Sequence, residues 1–212
     1  MTTVREQQVK ADDGPEGNAR ITAANGLVLL VLLAVEGVTV LDVRGMLTLH
    51  ILLGVILIPP VLLKSATTFW RFAKYYRGAE PYLRKGPPHI ILRVLGPLVL
   101  LSSLALLGTG LVLVLSKPNH DSVWLTLHQA SFIVWVSVMT IHVLGHTLEA
   151  LRTSRDEFSR AHYTRGRGLR LAAIVLVLVA GVGTAAAVWP TAKTWTTYHF
   201  FHDQGKFGGG DH

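Results

Sequence analysis

Histidine is the residue type in this chain that could do chemistry, and its placement says what kind. Three imidazoles, His128, His142 and His146, fall within one apolar run from Val123 to Leu151. An ionisable ring in hydrocarbon is unfavourable unless it is hydrogen-bonded, paired or metal-bound, so each marks a candidate site. The spacing adds to this. His128 and His142 lie fourteen residues apart, an axial rise of about 21 Å that returns to within about 40° of the same helix face. One face then carries imidazoles at two depths. His142 and His146 are one turn apart and cannot take opposite faces of a single flat ligand, so at most one of them ligates.

The elements that must position these rings are five long apolar runs: Ile21 to Leu41, Met46 to Leu63, Ile90 to Leu115, Val123 to Leu151 and Leu169 to Trp189. Each is near or above the roughly 20 residues that cross a bilayer. Because lipid offers no hydrogen bonds to the backbone, such runs must be helices. The expected fold is therefore an all-α polytopic membrane protein with five transmembrane helices over 21–189. A disordered tail, 1–20, precedes it and a second tail, 190–212, follows. Pro59 and Pro60 should kink or divide the second run.

The chain carries a net charge of +7, but its distribution argues against nucleic acid. Arg71, Lys74, Arg77, Arg84 and Lys85 fall between runs two and three, and Arg152, Arg155, Arg160, Arg165, Arg167 and Arg170 between runs four and five. The other two connections hold little beyond Arg44 and Lys117. This asymmetry predicts a plasma (inner) membrane protein with its amino terminus cytoplasmic and its carboxyl terminus outside. Attraction of the basic loops to anionic membrane lipid is secondary. The absence of cysteine excludes disulfides, thiolate ligation, covalent haem attachment and cysteine-held iron-sulfur clusters.

With that topology, runs two and four both descend from outside to inside. His50 lies about 9 Å below Arg44 by the helical rise, at the level of His128. A flat tetrapyrrole between the two helices could take one axial imidazole from each, and a six-coordinate haem transfers electrons and does not readily bind oxygen. Gly54, one turn from His50, and Gly108 to Gly110 would leave room for the ring. Arg44 or Lys117 would meet the propionates. At the inner level, His142 or His146 would pair with His89, with Arg93 as propionate partner. The cofactor expected is haem b, one at the outer level and a second if the inner pair forms. Glu36 reads either as a proton-relay or quinone-site carboxylate or, more simply, as a group that bonds locally near Asp42 and Arg44. His199, His202 and His212 form only a weak metal pattern in the tail.

A helix with two histidines fourteen residues apart, crossed by a partner helix with a histidine at the outer level, is similar to the dihaem membrane cytochromes of the cytochrome b561 and formate dehydrogenase gamma-subunit group. His50, His128 and His142 carry the resemblance, over roughly residues 20–150. It implies a four-helix bundle with two stacked b-type haems, exchanging electrons with a quinone or a redox partner subunit. The chain departs from that pattern in having no histidine on run one. Two other classes compete: a transporter or proton channel using Glu36 and the histidines, and a cofactor-free structural subunit. The channel needs a polar path at every depth, whereas the middles of runs one, three and five are almost wholly Leu, Val, Ile, Ala and Gly.

Overall fold

The protein is described by a computed structural model covering residues 15–84, 90–116, 123–158 and 166–207. Within 90–93, 145–158 and 199–207 only the backbone path is described. The elements are α1 (Pro15–Leu41), α2 (Leu47–Tyr76), the short α3 (Glu80–Arg84), α4 (Ile90–Leu115), α5 (Val123–Phe158) and α6 (Arg167–Phe207). Five of these are long and apolar enough to cross a membrane. Their outward faces expose large hydrophobic side chains such as Leu101, Ile133, Leu144 and Leu176, as an integral membrane protein requires. Buried side chains are fewer among the described residues.

Four helices close a ring: α1 packs on α2, α2 on α4, α4 on α5, and α5 on α1. In this ring α2 and α5 stand diagonally and run in the same direction. The sixth element, α6, lies outside the ring against α2, its most extensive neighbour. This is a four-helix bundle with one peripheral span.

Polar residues zip α1 to α2. Asn18 Nδ2 donates to the Thr67 carbonyl at 3.0 Å, Lys64 Nζ to the Thr22 carbonyl at 2.8 Å, and Asn25 Nδ2 to the Pro60 carbonyl at 2.8 Å. Such bonds fix the register of helices that apolar surface alone would leave free to slide in lipid.

The helix limits differ from those read from hydropathy. The described residues begin within α1, and residues 15–20, expected to be part of the tail, are helical. Pro59 and Pro60 do not divide α2, which is continuous through both. Pro60 cannot return a hydrogen bond to the Ile56 carbonyl. Gly181 of α6 packs there instead, so close that a Cβ on it would sit 2.7 Å from Ile56 O. Only glycine fits, in the manner of weak Cα–H···O contacts between helices. Gly78, at φ +76°, follows the end of α2 in the left-handed conformation. Likewise Pro190 does not end α6, which continues to Phe207.

Candidate functional site

Inside the ring lies a cavity of about 1030 Å³ that runs from Arg44 at one end to Thr68 at the other and is lined mainly by apolar side chains. His50, His128 and His142 all reach it, together with Glu36 and Lys64. The diagonal pair α2 and α5 brings the His50 and His128 rings together across it in a T-shaped arrangement. Their ring centroids are 6.3 Å apart, with the planes inclined by 72°.

Each ring is held by its Nδ1. His50 Nδ1 lies 2.8 Å from Glu36 Oε1 and 3.0 Å from Thr39 Oγ1, both on α1. The Thr39 hydroxyl donates to the Glu36 carbonyl at 2.6 Å, so it accepts from the histidine. His128 Nδ1 lies 3.1 Å from the Leu106 carbonyl and 3.1 Å from Thr109 Oγ1, both on α4. A carbonyl can only accept, so the proton sits on Nδ1. In the neutral imidazole, Nε2 then carries the lone pair. The same assignment holds for His50 because the carboxylate is an acceptor. Two helices thus present the rings, and the two between them fix the tautomers.

Close packing supports the arrangement. A Cβ on Gly110 would meet His128 Cε1 at 3.0 Å, whereas at Gly108 it would meet nothing. Gly110 is therefore the member of the glycine notch that makes room, and Gly108 is not. Gly54 has the expected place one turn from His50, beside Glu36 Oε1. Arg44 stands at the open end of the cavity. A cross-link between Trp135 Nε1 and Ser103 Oγ, 3.0 Å long, ties α5 to α4 further along.

Three features escaped the sequence reading. Glu36, besides accepting locally from Thr39 Oγ1 at 3.4 Å, is His50's partner; the signal for that is its depth, which matches that of His50 on the antiparallel neighbour. Lys64 enters the cavity fourteen residues beyond His50, the same interval that separates His128 from His142. Trp195, beyond Pro190, closes part of the cavity from α6, where Thr196 also bonds Thr48 at 2.6 Å. His142 lines the cavity. His89 and the side chains of His146 and Arg93 lie outside the described residues, as do Lys117 and the side chains of the tail histidines.

Compared with protein-family models, curated proteins and solved structures, the chain matches none. Its functional reading rests on its own geometry.

Proposed function

We propose that the His50/His128 level binds a b-type haem through one axial imidazole from α2 and one from α5, and that the protein relays electrons in the membrane. One observation carries this reading: both rings keep Nδ1 on oxygen acceptors, leaving two Nε2 lone pairs on rings whose centres are 6.3 Å apart. That separation is close to what two metal–nitrogen bonds of about 2 Å each set once the half-widths of the rings are added. Metal-binding histidines commonly give their second N–H to a carboxylate or a backbone carbonyl, and here one does each.

The surroundings suit a flat apolar group better than a bare ion. Among the described residues no cluster of three or more His, Cys, Asp or Glu could hold a metal ion alone, whereas a macrocycle brings its own equatorial ligands. The cavity is at the upper end of the roughly 300–1,000 Å³ common for ligand pockets. A haem held by two imidazoles has no open coordination position and supplies one-electron transfer. The chain's own residues do the rest. Glu36 orients His50 and strengthens it as a donor, Leu106 and Thr109 orient His128, Gly110 makes room for its ring, and Arg44 offers a cation to the carboxylates of the group.

The basic loops favour a plasma (inner) membrane orientation with the amino terminus cytoplasmic, which puts the histidine pair in the outer half. A quinone or a redox partner subunit would exchange electrons with it. In this reading the chain resembles the dihaem cytochrome b group at its outer level, acting as a relay and not a stand-alone catalyst. The test is a reduced-minus-oxidised visible spectrum of the protein purified in detergent after expression with haem supplied. A b-type α-band is expected, absent in His50→Ala and in His128→Ala. A folded protein without pigment overturns the reading.

A further inference from the structure

We propose that the Lys64/His142 level of the cavity is a separate site, which takes the oxygen head of a lipid-soluble molecule and not a second haem. The inference concerns different residues from the histidine pair and does not require it. On α2, His50 and Lys64 are fourteen residues apart; on α5, so are His128 and His142. The two helices run in the same direction, so both intervals correspond to about 21 Å of descent and the same near-return to one face. The second level thus repeats the first with an ammonium where α2 previously offered an imidazole.

That exchange reverses the chemistry. An imidazole tied by Nδ1 presents a lone pair to a metal, whereas an ammonium presents only N–H groups, and so recognises acceptors. Lys64 Nζ gives one of its three donors to the Thr22 carbonyl, and among the described residues no carboxylate pairs with it. The side chain lies flat against α1 because Gly26 has no Cβ, which would come within 2.6 Å of Nζ. A half-buried cation with donors to spare, in a mainly apolar cavity, is stabilised by an oxygen that is anionic or strongly polarised. Ser65 and Thr68 line the same end, and His142 faces it from α5. The ligand therefore combines a carbonyl, phenolate or carboxylate oxygen with an apolar body that the rest of the cavity can cover. Two sources have that chemistry: a quinoid ring with an alkyl tail, and a fatty acid.

The test is equilibrium dialysis of the full-length protein in detergent against a short-tailed benzoquinone and, separately, against oleate. Binding of either at one per chain is expected, weakened at least tenfold in Lys64→Met and in Gly26→Ala, and retained in Lys64→Arg. Gly26→Ala displaces the ammonium without removing it, which keeps the test sound if Lys64→Met folds poorly. Saturation by the benzoquinone alone identifies a quinoid ligand, by oleate alone a carboxylate, and either supports the site. No binding of either probe, or binding indifferent to both Lys64→Met and Gly26→Ala, overturns it. So does a haem content of two per chain, because the second would fill this level. Haem absorbance reports the histidine pair independently, so failure of one reading is seen apart from failure of the other.

Discussion

The two levels of the cavity share a scaffold and differ in what they can hold. At the first, two imidazoles meet, with the Nδ1 of His50 fixed by two oxygens of α1 and that of His128 by two oxygens of α4. At the second, fourteen residues along both helices, a histidine is matched with a lysine anchored by a single carbonyl. Backbone geometry repeats, so it does not choose the ligand. The choice lies in whether α2 contributes a lone pair or a proton donor, and in how many neighbours hold that group in place.

Substitutions at four positions would break or sharpen this contrast. The largest effect is expected from Gly110→Val, whose side chain would occupy the space of the His128 ring. It should abolish pigment at the first level, measured as haem per polypeptide, and leave dialysis of the benzoquinone or oleate at the second unchanged. Glu36→Ala should follow, lowering haem affinity about 10- to 100-fold in a detergent titration, the usual effect of losing a ligand's supporting partner. A smaller loss in Glu36→Gln would separate the hydrogen bond from the charge. Gly181→Ala should then destabilise the fold by about 1–3 kcal/mol, because the new methyl meets backbone, with the spectrum of the remaining folded protein unaltered. Denaturant titration in detergent reads it. Asn25→Leu should have the smallest effect, about 0.6 kcal/mol by the same measurement, the mean for interhelical polar bonds in membranes. Its Oδ1 has no partner among the described residues, so only one bond is lost.

The five spans and the meeting of His50 with His128 were legible in the sequence, because both follow from length, hydropathy and the helical rise alone. Depth can be counted along a chain. Azimuth around a helix is harder, which is why the notch at Gly108 to Gly110 suggested room without revealing that Gly110 supplies it. The partner of Glu36 is obscured for a related reason. Glu36's sequence neighbours Asp42 and Arg44 suggested an interface, but its spatial neighbour is set by antiparallel packing of α1 on α2. Lys64 lies one residue beyond the apolar run Met46 to Leu63, and its distance from His50 repeats the interval between His128 and His142 on α5. The continuity of α2 through two prolines could not have been read locally, since it depends on what another helix brings to the vacated carbonyl.

That carbonyl gives α6 a purpose that its lack of ligands conceals. A backbone oxygen without its helical hydrogen bond, turned toward hydrocarbon, is among the least tolerable features in a bilayer, costing several kcal/mol. At Ile56 it is shielded by Gly181, as a gasket covers a port. A chain shortened to the four ring helices would keep every cavity-lining histidine and yet leave this dipole facing lipid. The fifth span is thus part of what lets the bundle carry prolines beside its cavity, and removing it should show first as lost yield in the membrane.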